Sequence, residues 1–251
     1  MNIGIWDFVL VVVVSLQCTV VAYVHAPRWK ALVLTLPIPF SMATCALGEP
    51  INVTHASSLV LFMVYANTVR WLHVGARVPI VWAIVLSAGG YALVGTGLAC
   101  VLPRTDAAFW VAAGVLAGAG AVLALTMPHR AEPGHRSPMP LGLKLLVVCV
   151  VIATIVVLKH SLHGFMTGFP MVGVVTAYEA RHSLWTICRH VPIFMVAFSA
   201  LVATAWLTQG TLGLGGALAV GWLAFLALFV PLTRLRWRAD AREVGSTGGE
   251  A

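Results

Sequence analysis

Residues 107–127 read AAFWVAAGVLAGAGAVLALTM, 21 consecutive positions without a charged side chain. A helix of about 20 apolar residues, at roughly 1.5 Å per residue, crosses the hydrocarbon core of a bilayer. Outward from this stretch the pattern repeats. Apolar segments lie at 5–24, 31–48, 56–74 and 79–101 before it, and at 141–158, 161–178, 185–207 and 212–232 after it, nine in all. The seventh is short and interrupted by Gly164, Gly168, Pro170 and Gly173.

Composition agrees. The 251 residues are 60% hydrophobic and 9% charged, with 15 basic and 8 acidic side chains. A soluble domain carries about 25% charged residues, and so few charges leave most of a soluble surface uncovered. Mean hydropathy is +0.96. The expected fold class is all-α, a polytopic membrane helix bundle forming a single membrane domain over 1–251.

The N-terminal flank MNIGIWD has no Lys or Arg, whereas Arg28 and Lys30 follow the first apolar run. This argues against a signal peptide and for a retained helix with its N-terminus outside. With that orientation and nine spans, 13 of the 15 basic residues fall inside, and only Arg104 and Lys159 fall outside. Such asymmetry is the signature of topology. It predicts a multi-pass protein of the cell inner (plasma) membrane with a cytoplasmic C-terminus. It also accounts for the +7 net charge without a nucleic-acid partner. The Pro-rich linker 128–140 separates two halves, and the tail 233–251 reads as an Arg-rich cytoplasmic anchor followed by disorder.

The halves share local sequence. Leu61-Phe62-Met63-Val64 in the third segment matches Ile193-Phe194-Met195-Val196 in the eighth, at an offset of 132. Ile38-Pro39-Phe40 matches Phe169-Pro170-Met171 at 131, and Glu49 matches Glu179 at 130. Five spans separate the two starts, so the halves point in opposite directions. The expectation is an inverted repeat of four helices each, 5–101 and 141–232, joined by the connecting helix 107–127. Inverted repeats with paired helix breaks are the pattern of alternating-access transporters. Pro39 and Pro170 each remove a backbone donor and free a carbonyl, either for a ligand or merely as a packing kink.

The stretch His163-Gly164-Phe165 through Phe169-Pro170 to Glu179, with its small-residue approach, mid-helix proline and polar exit, resembles the GlpM-like four-helix bacterial inner-membrane proteins. The resemblance covers roughly 141–232 and, more faintly, 5–101. It implies a fused tandem of such a unit and supplies no catalytic residues. The first half departs from it, having Ile38-Pro39 without a nearby glycine cluster.

Polar side chains at membrane depth are costly, so each is a candidate. Glu49 and Glu179 serve as gates or proton acceptors on opposite faces, or as solvated helix ends. Tyr65, Asn67 and Ser199 bind a polar solute or bond a neighbouring helix. Thr44 and Thr176 complete the expected substrate-binding set with Pro39 and Pro170. Arg189 at the inner mouth of the eighth segment holds an anion or anchors at the headgroups. Gly114 and Gly118 form a GxxxG spacing that reads as close helix packing. Asn52-Val53-Thr54 is a glycosylation sequon. The five cysteines sit singly in apolar segments, as small packing residues do. His160 and His163 give a weak haem signal, since haem needs two axial ligands at matching depth on facing helices.

No P-loop, HExxH or GxSxG arrangement appears, so no enzyme activity, cofactor or metal is expected. The leading expectation is a transporter or exporter of a small-molecule solute, embedded in the lipid bilayer, with homo-oligomerisation left open. The alternatives are a non-catalytic membrane anchor or accessory subunit, and a membrane enzyme or haem carrier.

Overall fold

The computed structural model describes residues 4–128, 130, 132–134, 142, 146, 149–150 and 162–247. Among them every regular element is a helix. Among the described residues five stretches are long and apolar enough to cross a membrane: Ile5–Tyr23, Pro27–Leu47, Ile80–Val101, Asp106–Thr126 and Leu184–Arg242. The expected span at 141–158 lies almost entirely outside the described residues.

The elements are α1 (Ile5–Tyr23), α2 (Pro27–Leu34), α3 (Ile38–Leu47) and α4 (Val53–Arg70), which runs into a π-helical turn over Trp71–Gly75. Then come α5 (Ile80–Val101) and α6 (Asp106–Thr126), a 3-10 turn at His163–Met166, α7 (Met171–Glu179) and α8 (Leu184–Thr247). The second and seventh expected spans are therefore each broken in two. The eighth and ninth are the two arms of α8, separated at Gly213, where φ is +67°. Only glycine takes that left-handed conformation readily. The arms fold back on each other: a Cβ at Gly221 would stand 2.8 Å from the Leu201 carbonyl oxygen.

α4 sits at the centre, packed against α5, α6, α8 and the 3-10 turn. Its Thr54, His55 and Ser58 are buried inside the protein, which is why this helix carries polar residues that a lipid-facing one would not. Its first turn is capped by Asn52, whose Oδ1 accepts from the Thr54 N–H at 3.0 Å and the Thr54 hydroxyl at 2.6 Å. Capping is thus what the sequon asparagine does here. α5 and α6 turn large apolar side chains outward, with Leu93 78% and Leu125 86% exposed, a surface suited to lipid rather than water.

The GxxxG expectation is corrected. A Cβ at Gly114 or Gly118 would meet nothing within 4 Å, because both lie on the outward face of α6. The close approach is made by Gly120, where a Cβ would stand 2.9 Å from the Pro192 carbonyl oxygen and from Met195 Cβ on α8. The tail also differs from expectation. α8 continues helically to Thr247, and it is docked at Arg236 and Asp240. Arg236 donates to the Ala124 and Met127 carbonyls, each at 2.8 Å, closing the C-terminus of α6 as a basic side chain can. Arg189, weighed for an anion or a headgroup anchor, forks onto the Asp240 carboxylate at 2.9 and 2.7 Å and ties the two arms of α8 together.

Candidate functional site

The first break lies at Thr35-Leu36-Pro37 between α2 and α3. Pro37 and Pro39 have no N–H, so the carbonyls of Val33 and Thr35 lose their helical donors. The Val33 carbonyl is rescued from α1: Gln17 Nε2 donates to it at 2.6 Å. Thr35 Oγ1 turns back to the Ala31 carbonyl at 2.9 Å. Pro39 falls in the first turn of α3, where its fixed φ suits a helix start. It begins a half-helix rather than kinking a whole one.

The second break runs from Thr167 to Pro170, which is the N-cap of α7. The stretch before it lies almost in contact with α4. A Cβ at Gly164 would overlap Thr54 Oγ1, and one at Gly168 would overlap Ser58 Oγ. Tyr91 from α5 fixes the same turn, its hydroxyl lying 2.9 Å from the Phe165 carbonyl and 3.2 Å from that of Ser58. Replacing Gly168 by alanine is expected to cost about 1–3 kcal/mol through overpacking, read as a lower thermal midpoint in detergent. The same change at the outward-facing Gly114 should leave the midpoint level or slightly higher.

The two breaks face each other across a cavity of about 40 Å³ whose walls include Leu36, Pro39, Phe62, Thr167, Pro170 and Gly173. That is room for a water or two, and far less than the roughly 300 Å³ of the smallest ordinary ligand pockets. Tyr65 packs beside it, with its ring carbon Cε1 3.4 Å from where a Gly173 Cβ would stand. Tyr65 is 4% exposed, and its hydroxyl has no hydrogen-bond partner among the described residues.

Away from the cavity the broken segments meet again at both ends. The end of the first segment meets the start of the second, where Glu49 Oε1 lies 2.8 Å from His163 Nδ1. The start of the first meets the end of the second, where Lys30 Nζ donates to the Glu179 carbonyl at 2.9 Å. The two segments therefore run antiparallel. The ends differ in solvation: the Glu49 and His163 side chains are 28% and 34% exposed, whereas Lys30 and Glu179 are 1% and 0% exposed as residues.

The expected site residues separate into groups. Pro39 and Pro170 line the cavity, Tyr65 packs against its wall, and Glu49 and Glu179 lie away from it at the ends of the broken segments. Thr44 and Thr176 are buried and spend their hydroxyls on their own helices, on the Phe40 and Val172 carbonyls, each at 2.8 Å. Asn67 bonds the Met63 carbonyl at 2.9 Å and faces a separate groove. Ser199 bonds the Val196 carbonyl at 2.7 Å. Sequence reasoning missed Gln17, although a lone amide in an apolar run was signal enough. It also missed Lys30, counted only as a topological charge. His163, weighed as a haem ligand, instead pairs with Glu49.

The class these features define is an all-helical chain with several helices of membrane-crossing length and apolarity, two of its segments broken at prolines that face one another. No protein family, curated protein or solved structure matches it.

Proposed function

We propose that this chain is a transporter or exporter of a small solute, working by alternating access. It would be a non-enzymatic, multi-pass inner-membrane protein of nine spans, with the N-terminus outside and the C-terminus inside. Its inverted four-helix repeats would flank the connecting helix 107–127, as the resemblance to a fused tandem of GlpM-like units also implies. The observation that carries the reading is the crossed pairing around the two breaks. Glu49 of the first half meets His163 of the second, and Lys30 of the first meets Glu179 of the second. Glu49 and Glu179 stand 130 positions apart and Lys30 and His163 stand 133 apart, close to the offsets of the apolar matches. An inverted repeat brings equivalent residues to opposite ends in this way.

In this mechanism each pair is a gate. The broken helices supply backbone carbonyls and half-helix ends between them, where a polar solute exchanges its hydration for protein groups. The small cavity corresponds to a contracted, occluded state. Separating Glu49 from His163 opens one side, and separating Lys30 from Glu179 opens the other. Glu49 and Glu179 are also the groups at hand for proton coupling. Tyr65 offers a hydroxyl at the cavity, whereas that of Thr167 donates to the Gly164 carbonyl at 2.6 Å.

The test uses a background with the five native cysteines replaced and Thr167→Cys in the cavity wall. Positions 49 and 163, or 30 and 179, carry cysteines bridged by a short bifunctional thiol reagent. With 49 and 163, the outer pair in this orientation, bridged, Thr167→Cys should react with an impermeant thiol reagent from the inside only. With the inner pair bridged it should react from the outside only. Reactivity from one side irrespective of the bridge would sink alternating access and favour the accessory-subunit reading.

A further inference from the structure

Trp185, in the first turn of α8, is held by two contacts. Its indole N–H donates to the Pro128 carbonyl at 3.1 Å, and its backbone N–H donates to Glu132 Oε1 at 3.2 Å. Two guanidinium groups lie over its ring, Arg70 from the end of α4 at 4.6 Å and Arg130 from the linker at 4.5 Å. Neither has a carboxylate within ion-pairing distance among the described residues, and Arg70 Nε is buried without an acceptor. Arginine stacked on an aromatic ring keeps its edge N–H groups available for an anion.

The same tryptophan walls an open apolar groove of about 520 Å³ between α4, α6 and α8, lined by Met63, Asn67, Thr68, Leu123, Met127 and Trp185. Arg130 in turn borders a second cavity of about 580 Å³ that includes Arg28, Arg189 and Trp237. An apolar slot on a lipid-facing surface thus ends at two unpaired cations, inside a ring of tryptophan and arginine of the kind found at membrane interfaces. Basic pockets at the ends of membrane helices recognise anionic headgroups.

We propose that this place is a binding site for an anionic phospholipid, its phosphate between Arg70 and Arg130 and an acyl chain along the groove. Arg189 does not take part, since Asp240 already engages it. The site also gives Asn67 a setting, on the groove wall rather than at the proline breaks.

The test is thermal unfolding of the purified full chain in a neutral detergent, titrated with phosphatidylglycerol, with phosphatidylcholine, or with inorganic phosphate. Phosphatidylglycerol should raise the midpoint at lower concentration than phosphatidylcholine. The Arg70→Gln/Arg130→Gln double variant should weaken that response by about tenfold or more. Val64 is 53% exposed and lines the groove, so Val64→Trp should obstruct the slot with the fold intact and weaken the response as well. This second variant keeps the test decisive if the double variant does not fold. Equal responses to the two lipids, or a phosphatidylglycerol preference that survives both changes, would overturn the proposal. So would an inorganic phosphate response matching that of the lipid, which would identify a free-anion site instead.

Discussion

Replacing Lys30 by alanine is expected to destabilise the protein by about 3–5 kcal/mol, the range for breaking a buried charged contact. Lys30 is 1% exposed, and its ammonium donates to the carbonyl of Glu179, itself 0% exposed. Alanine removes both the buried four-carbon stem and the charge. The Glu179 carbonyl loses a donor, and a carboxylate belonging to the same residue stays buried with less positive charge near it. The loss far exceeds that for a surface ion pair, whose worth is about 0–1 kcal/mol. Glu179→Ala keeps that backbone carbonyl and should lose less. The coupling is read from a double-mutant cycle: Lys30→Ala/Glu179→Ala should be clearly less destabilised than the sum of the single changes. Unfolding in detergent, monitored by circular dichroism, gives the three numbers. Strict additivity would show that the two residues do not act as a pair. At the other end, His163→Ala should cost less, because water reaches that pair.

The second large effect concerns motion rather than stability. Pro39→Ala and Pro170→Ala together are expected to leave the unfolding midpoint level or higher, and to slow side-switching at Thr167→Cys by roughly tenfold or more. Alanine at 39 restores an N–H that can reach the Thr35 carbonyl, and alanine at 170 restores one for the Met166 carbonyl. Each new bond contributes about 0.5–1.5 kcal/mol. Two of them bias the continuous-helix form by about 1–3 kcal/mol, a range that spans the 1.4 kcal/mol of a factor of about ten. Pro37 stays in place, so the Val33 carbonyl keeps its donors Gln17 and, at 3.4 Å, the Leu36 N–H, and the larger share of the effect should come from Pro170. Impermeant-reagent labelling from each side measures the switching. Unchanged switching in a folded double variant would mean that the prolines only shape the packing.

The class of protein was legible residue by residue. An apolar run such as 107–127 needs no partner to declare itself, because the tendency to enter a bilayer is a sum over neighbouring side chains. The two breaks were legible for the same reason: a proline removes a local hydrogen bond whatever surrounds it. Gln17 carried a similar signal, an amide in an apolar run, but was passed over, and its purpose shows only in its contact with the Val33 carbonyl.

What faces what was decided elsewhere. Lipid is as apolar as a protein interior, so an apolar helix carries little information about which side turns inward. Gly114 and Gly118 therefore made the stronger motif, while Gly120 made the contact. Thr44, Thr176 and Ser199 looked like ligand groups, yet a hydroxyl in a helix finds its own carbonyl four or three residues back. Lys30 counted as one inner charge among 13 by position. Its burial against Glu179, 149 residues away, is a fact of packing. Sequence alone determined the membrane-length helices and where they break, because both depend on neighbours along the chain. Only the tertiary structure decided that the breaks share one cavity and that the charges at their ends are crossed, because those contacts join residues that hydropathy treats independently.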